Sequence, residues 1–400
     1  MPAVTPEILV WARETAGLTV RQAVDKLGIH DARGVAADDR LVAMEDGQAD
    51  VSRPLLLKMA KLYRRPLLAF YMAAPPRKGD RGQDFRSLPE RRPDAEPLVD
   101  ALVRDVRARQ AMVHSILEDE EAESLQFVAS MSMADGVGAV LDSIRRTLGL
   151  DLASFRALGT PEAAFSMLRS KVEEAGVFVL LIGNLGSHHS ALDVEAFRGF
   201  AIADPIAPFI VVNDQDAKTA WSFTLLHELA HIWLGATGVS GSYAEGQMER
   251  FCNDVASNFL LPDHELRLME VDRISGLQEK VEQISTFANE RLVSRSLVAY
   301  RLFRAGSISS DDWRELTDQF RIEWRQNRAT QREQSRGRDR GPNYYVVRRH
   351  RLGSALLQLV ARHMSEGALT PTKASKVLGV KPRSVATLLS NGAPALGEAG

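Results

Sequence analysis

Apolar residues recur at helical spacing over most of the chain. The first such pattern, within residues 6–72, predicts a compact unit of short helices. Gly17 followed by Thr19 is typical of a helix end and the N-cap of the next helix, as in paired helices joined by a short turn. From Leu98 to Leu117 the apolar residues fall on one face, which predicts a long amphipathic helix.

The pattern changes between residues 160 and 262, where strands are predicted among helices. Continuous apolar runs at 177–182 and 208–212 have the length and composition of buried strands, and 197–202 is a further candidate. A helix is predicted from about residue 217. The fold class expected from these patterns is therefore α+β and mostly helical, with a small sheet in the centre and all-α units on both sides.

Two stretches between these units have the composition of linkers. Residues 73–97 contain five prolines and many arginines. Residues 321–351 hold ten arginines and three acids, a local net charge of +7, and their centre at 329–342 lacks large apolar residues, which favours linker or disorder. The predicted division is 1–75 helix-turn-helix-like, 76–155 linker and amphipathic helix, 156–310 mixed α+β domain, 311–345 basic linker, and 346–400 small helical domain.

Composition limits the classes of function. Lysine plus arginine is 50 and aspartate plus glutamate is 52, so the overall charge gives no sign of a nucleic-acid partner. The single cysteine, Cys252, excludes an intrachain disulfide and a cysteine-cluster metal site, and it fits a reducing, cytoplasmic compartment. We expect Cys252 to be a small core residue, with a cysteine-switch role as the alternative. Neither a membrane span nor a signal peptide is expected.

One motif carries specific chemistry, because residues 223–235 contain the pattern His-Glu-x-x-His. His227 and His231 are four apart, so on a helix both imidazoles share a face and can reach one ion. Zinc prefers four ligands, and a catalytic site leaves one position open for water. Glu228 is rotated by about 100° around the helix from His227, which places its carboxylate beside that open position as a general acid/base. The alternative is a pair of surface histidines on a helix.

The third ligand is expected from the following segment. Glu249 and Asn253 are again four apart, so Glu249 is predicted to complete the site while Asn253 hydrogen-bonds a ligand imidazole. Glu245 is the nearest competitor, and an ordinary solvated acid is the alternative for Glu249. Tyr243 is a candidate oxyanion donor, against the alternative of a loop tyrosine.

Substrate and DNA contacts have weaker candidates. An extended substrate is expected to pair with an exposed strand edge. The candidate residues are Phe197, Arg198, Gly199 and Phe200. His188 and His189, in a predicted loop, are candidates for assisting binding or metal ligation, or are solvated loop residues. Within Asp31–Glu45, where a recognition helix is expected, only Arg33 and Arg40 are available for DNA phosphates, so weak DNA binding and protein contact both remain open.

The order of these motifs resembles the ImmA/IrrE family of zinc metallopeptidases. The matching residues are Gly199, Pro208–Asn213, Phe223–His231, Glu249, Cys252–Asn253, Ala256 and Phe259–Pro262. Residues 62–72, 84–86, 294–308 and the unit after Tyr344 are similar to longer members with an N-terminal helix-turn-helix of the phage-repressor type. The resemblance implies a zincin-like domain at 156–310. It also implies that His227, His231 and Glu249 hold zinc, that Glu228 is the catalytic acid/base, and that the substrate is a DNA-bound repressor.

The sequence hypothesis is a cytoplasmic endopeptidase with one zinc ion per chain, although three N/O ligands also suit manganese or cobalt. Its expected substrate is a transcriptional repressor or an antitoxin-like helix-turn-helix protein, in a stress or mobile-element response. DNA is a second candidate partner, no membrane is expected, and the oligomeric state stays open. The alternative is a DNA-binding regulator whose zincin domain is a sensor with little turnover. The carboxylate of Glu228 favours the enzyme, and the helical units on both sides favour the regulator.

Overall fold

The computed structural model describes residues 4–76, 96–185, 190–192, 194, 197–236, 242–269, 276–336 and 343–390. The chain forms two compact units. The first unit comprises residues 1–106 and 185–196, and the second comprises residues 107–184 and 197–400. The five-part division predicted from the sequence is finer than this and stays a prediction.

The first unit is helical, as the apolar pattern predicts. Its helices are α1 (Pro6–Glu14), α2 (Val20–Leu27), α3 (Ala37–Glu45) and α4 (Arg53–Leu62), followed by a 3-10 helix (Leu67–Tyr71). Thr19 caps α2 by accepting a hydrogen bond from the N–H of Gln22, and this confirms the predicted N-cap. A buried ion pair between Arg13 and Glu45, with N–O distances of 2.7 and 2.9 Å, joins α1 to α3.

The second unit is built on a three-stranded mixed sheet. Its strands are β1 (Phe178–Leu181), β2 (Gly199–Ile202) and β3 (Phe209–Val212). The order is β1-β3-β2, with β1 parallel and β2 antiparallel to β3, so β2 lies at an edge of the described sheet. All four residues of β1 and of β3 are buried, which explains why their sequences are continuous apolar runs.

Helices make up most of the rest of this unit. In chain order they are α5 (Glu96–Asp119), which begins in the first unit, α6 (Gly136–Leu148), α7 (Leu152–Arg156), α8 (Pro161–Glu174), α9 (Lys218–Trp233), α10 (Ser242–Leu260), α11 (Asp263–Leu266), α12 (Leu277–Glu290), α13 (Arg295–Arg304), α14 (Ser310–Arg336), α15 (Tyr344–Leu352), α16 (Ser354–Ser365), α17 (Pro371–Leu378) and α18 (Pro382–Ser390). The predicted fold class, α+β and mostly helical, is confirmed. Among the described helices, none has the length and apolar character needed to cross a bilayer.

The basic stretch after residue 311 differs from its prediction. Helix α14 continues to Arg336, so the expectation of disorder is wrong for residues 329–336, while the expectation of a linker stays a prediction and 337–342 lie outside the described residues. Two physical reasons account for the helix. Arginine, glutamine, glutamate and alanine have high helix propensity. Leu316 and Phe320 are buried and anchor its first half to the core, so the polar second half extends a helix that already exists.

The C-terminal helices are fastened to the core by a buried ion pair on α8. Arg169 and Glu173 pair at 3.1 Å, and both are almost fully buried. Glu173 also accepts hydrogen bonds from the N–H groups of Ser354 and Ala355 at the first turn of α16. Arg169 donates to the backbone carbonyl of His350 in α15. Because each charge has several partners, the pair provides acceptors for the first backbone N–H groups of α16 and holds α15 and α16 against α8.

Helix α9 lies at the centre of the second unit, between α8, α10 and the strands β2 and β3. Its carbonyl groups at the C-terminal end are satisfied by a neighbouring loop: the N–H of Ala129 donates to Ile232, and that of Met131 donates to Trp233. The Trp233 ring stacks on Phe127 at 4.3 Å and donates to the Ser143 hydroxyl. These contacts hold α9, which carries the His-Glu-x-x-His motif, in a rigid position.

Candidate metal centre

Two packed helices bring three ligand groups to one point. Helix α9 supplies His227 and His231, and α10 supplies Glu249. The two imidazole Nε2 atoms are 3.1 Å apart. The carboxylate of Glu249 lies 3.1 Å from Nε2 of His227 and 3.3 Å from Nε2 of His231. The structure thus places the predicted third residue, from a different helix, beside the predicted pair.

These distances match the spacing of ligands around a zinc ion. With bonds of about 2.0–2.1 Å in a tetrahedron, neighbouring ligand atoms lie about 3.3 Å apart. The two imidazole nitrogens are 3.1 Å apart, and each has a carboxylate oxygen of Glu249 nearby: Oε2 lies 3.1 Å from His227 and Oε1 lies 3.3 Å from His231. Two imidazole nitrogens that face each other at such a distance need a proton or a cation between them, since two lone pairs repel. The residues present therefore fit a tetrahedral divalent ion.

The charge of Glu249 also suits a cation. Burial acts to raise the pKa of this carboxyl, but hydrogen bonds with His227 and His231 outweigh it and hold the pKa far below its ordinary value. Glu249 is therefore an anion at neutral pH. Its side chain is 35% exposed, whereas the two imidazoles are 12% and 11% exposed, so the cluster reaches solvent on the Glu249 side.

Glu228 lies beside the three-residue cluster but is not part of it. The residue is buried, and burial raises the pKa of its carboxyl to about 8; the charge of His231 opposes this shift and that of Glu249 adds to it. A carboxyl with such a pKa can hold and release a proton near neutral pH, which is what general acid/base chemistry requires. Glu228 thus lies next to the three candidate ligands and outside their cluster.

Gly199, the first residue of the edge strand β2, lies against the Glu228 carboxylate. A Cβ atom at this position would lie 2.9 Å from Oε1 of Glu228, 2.7 Å from Cγ2 of Thr224 and 2.9 Å from the carbonyl oxygen of Val211. Real Cβ atoms essentially never approach so closely, so only glycine fits here without a shift of its neighbours. The absence of a side chain at Gly199 lets the edge strand lie close to the Glu228 carboxylate.

Asn213, which follows β3, holds the residues that lead into β2. Its side-chain Nδ2 donates to the carbonyl of Phe197 at 2.8 Å, and its backbone N–H donates to the carbonyl of Arg198 at 2.8 Å. Asn213 is fully buried. An asparagine at this position therefore fixes the start of β2 relative to the sheet, and with it the place of Gly199.

The remaining predicted residues have different outcomes. The Nδ1 atom of His227 is buried and has no hydrogen-bond partner in the described part of the chain, so Asn253 does not bond that atom, and its predicted bond to the other imidazole stays a prediction. Residue Tyr243 belongs to α10, but its side chain lies outside the described residues. The same holds for the side chain of Glu245, and His188 and His189 lie outside them altogether.

Cys252 and Arg40 have structural contacts, and the predicted DNA contacts of Arg33 and Arg40 stay predictions. Cys252 is fully buried in the core, as expected, and burial raises the pKa of its thiol well above the ordinary value. A buried neutral thiol does not act as a cysteine switch. Arg40 donates to the carbonyl of His30 and thereby fastens the segment before α3. Arg33 is exposed in that same segment.

Sequence reasoning missed one residue that positions the site. Asp254, on α10, accepts a hydrogen bond from the hydroxyl of Tyr300 at 2.8 Å and from the guanidinium of Arg304 at 2.6 Å. Both partners lie on α13, so this contact fixes α10 and the carboxylate of Glu249 that it carries. No local pattern reveals it, because the partners are 46 and 50 residues away.

Replacement of Gly199 by alanine tests the contact with Glu228. The added methyl group must displace the Glu228 carboxylate or the strand, and a misplacement of about 1 Å at a reacting group costs about 100-fold in rate. We therefore expect the catalytic activity of this centre to fall by about 100-fold while its content of bound metal is unchanged. Gly138→Ala on α6 is the matched control, since a Cβ there meets nothing. Equal activity of the two variants would contradict the assignment.

Comparison with known proteins adds one finding. A search of curated proteins found no match to this chain. Residues 179–303, which include the four residues of the candidate centre, match the family model Peptidase_M78, described as the IrrE N-terminal-like domain, and this likeness supports the ImmA/IrrE resemblance and a metallopeptidase-type function.

Proposed function

We propose that this protein is a zinc-dependent endopeptidase. The observation that carries the proposal is the convergence of His227, His231 and Glu249 at tetrahedral spacing, with Glu228 buried beside them. The match of residues 179–303 to a metallopeptidase family supports the same conclusion from an independent direction. One zinc ion per chain is proposed, held by the two imidazoles and the carboxylate.

Zinc bound at this centre would supply a water molecule of lowered pKa and a Lewis acid for the peptide carbonyl. The chain itself supplies the proton transfers. The carboxylate of Glu228, buried beside the three clustered residues, would accept a proton from the water that attacks the peptide bond and would then deliver it to the leaving amine. His227, His231 and Glu249 are held by α9 and α10, so the reacting groups are oriented before substrate arrives.

The substrate is proposed to bind as an extended strand along β2. In the described sheet β2 pairs with β3 on one side, and its other side carries no strand. A peptide that pairs with this edge would use its backbone for affinity and its alternate side chains for specificity. Since Gly199 touches Glu228, a peptide bond paired near the start of β2 would lie next to the acid/base residue. Phe197 and Phe200 are buried, so of the four residues predicted to contact substrate the proposal keeps Arg198 and Gly199 for its positioning.

The substrate class proposed is a helix-turn-helix repressor or an antitoxin-like DNA-binding protein in the cytoplasm. Its support is the resemblance carried by Phe223–His231 and Phe259–Pro262, together with the helical units that flank the metal domain. Cleavage of such a protein would relieve repression of its genes. The choice of substrate rests on that resemblance and is separate from the chemistry of the centre.

A cleavage assay tests the proposal. The purified full chain is mixed with the helix-turn-helix protein encoded beside it, and the products are analysed by mass spectrometry. We expect one discrete pair of fragments, loss of cleavage after removal of metal by a chelator, and recovery with one equivalent of zinc per chain. Manganese and cobalt are added in parallel arms, because the ligand set accepts them. Cleavage that persists in the chelator-treated, metal-free protein would overturn the proposal.

A regulator with little turnover is the second candidate function. The observation that favours it is a basic helix pair near the C-terminus, α17 and α18, described in the next subsection. In that case the protein would bind zinc with one equivalent per chain and cleave neither the neighbouring repressor nor any other helix-turn-helix protein. The assay above separates the two, because only the enzyme converts its partner to fragments.

A further inference from the structure

Helices α17 and α18 form a pair with the connection of a DNA-binding helix-turn-helix. Only residues 379–381 separate them, and such pairs are joined by a turn of three to four residues that often contains glycine. Gly379 has φ +59°, the left-handed conformation that ends α17. In the first unit, by contrast, α2 and α3 are separated by residues 28–36, which is too long for this turn.

The pair is held rigidly by arginines of the second unit. Arg348 donates to the carbonyl of Gly379 in the turn, and Arg349 donates to the carbonyl of Leu388 near the end of α18. Val385 and Leu388 of α18 are buried together with Val377 of α17. The inner faces of both helices therefore pack on the domain, and their orientation does not depend on a flexible connection.

The outer face of α18 is small and polar. Arg383, Ala386, Thr387 and Ser390 are exposed, and their spacing of three and four residues places them on one face. Small side chains let a helix approach base pairs closely. Arginine binds the N7 and O6 atoms of guanine, the threonine hydroxyl hydrogen-bonds base edges, and alanine contacts the thymine methyl group. The composition of this face thus suits the major groove.

The charge of the pair is entirely positive. Between Gly367 and Ser390 there are four basic residues and no acidic residue. The four are Lys373, Lys376, Lys381 and Arg383. All four are exposed, and none makes an ion pair within the described part of the chain. The first turn of α3, the helix expected from the sequence to read DNA, instead carries two aspartates, which phosphates would repel.

We propose that α17 and α18 bind duplex DNA, with α18 in the major groove and α17 across the phosphate backbone. Arg383 and Thr387 contact base edges, while Lys373 and Lys376 contact phosphates. This DNA-binding surface would bring the protein to the operator on which a repressor sits. It does not depend on zinc or on cleavage, so it stands or falls separately from the proposed peptidase activity.

The test uses the full chain and a fluorescent 30-base-pair duplex of random sequence, with binding followed by anisotropy at several salt concentrations. Each phosphate contact contributes about 0.9 to the slope of log K against log salt. We therefore expect Lys373→Ala/Lys376→Ala to lower that slope by about two and to weaken binding by about tenfold at low salt. The matched control is Arg146→Ala/Arg267→Ala, which removes the same charge from two exposed arginines elsewhere in the second unit.

A second variant examines base contact. Selection from a random duplex library is run with the wild type and with Arg383→Ala, and the variant is expected to lose the preference at one base pair while keeping the salt slope within about one unit. Thermal unfolding of each variant confirms that the fold is retained. The proposal is overturned if the lysine variant binds duplex like the arginine control. It is also overturned if the wild type prefers single-stranded RNA of the same length or vesicles of phosphatidylglycerol.

Discussion

Substitution of glutamine for Glu228 is expected to slow peptide cleavage by about 10²- to 10⁴-fold while zinc remains bound. Glutamine has nearly the same shape, so the contact with Gly199 is kept. What it loses is the ability to accept and return a proton. Because Glu228 is not one of the three clustered ligand residues, the affinity for metal should change little.

The experiment measures two quantities on the same protein sample: zinc per chain by elemental analysis, and the initial rate of fragment formation. Glu279→Gln on α12 is the matched control, since that carboxylate is exposed and lies outside the site. A Glu228→Gln protein that retains zinc and cleaves at the wild-type rate would refute the proposed role. If the wild type itself holds zinc and cleaves nothing, the regulator becomes the better account.

Helix α9 and its histidine pair could be predicted from the sequence because the signal lies within a few consecutive residues. His227 and His231 are one turn apart, and helical geometry alone brings their imidazoles together. Glu249 could be predicted for a similar reason, because its segment has the pattern of a second helix that packs on the first. The apolar runs of β1 and β3 predicted the buried strands, since strands covered on both faces need apolar side chains throughout.

The contacts that complete the site could not be predicted in this way. The close approach of Gly199 to Glu228 depends on the strand order β1-β3-β2. The apolar pattern of a single strand does not predict that order. The hydrogen bond from the Tyr300 hydroxyl to Asp254 likewise joins residues far apart in the chain. A composition argument also failed for α14, because low apolar content over a short window does not reveal that a helix has begun in the preceding residues.

Loss of the Glu249 carboxylate is the other change with a large expected effect. Glu249→Ala removes the only anionic group of the cluster and leaves two imidazoles, and zinc rarely stays on two protein ligands. Loss of a residue that only supports a ligand costs about 10- to 100-fold in affinity. We therefore expect the affinity for zinc to fall by more than about 100-fold, and cleavage to disappear at micromolar zinc.

Glu245→Ala is the decisive control for this variant, because Glu245 lies one turn earlier on α10 and is the other acid that could serve as third ligand. Zinc affinity is measured by competition with a chromogenic chelator. In the structure the carboxylate of Glu249 is 3.1 and 3.3 Å from the two imidazoles, so Glu245→Ala should bind zinc like the wild type. If instead Glu245→Ala loses the metal and Glu249→Ala keeps it, the third ligand lies one turn away, and the tetrahedral spacing described above reflects only an ion pair between Glu249 and the histidines.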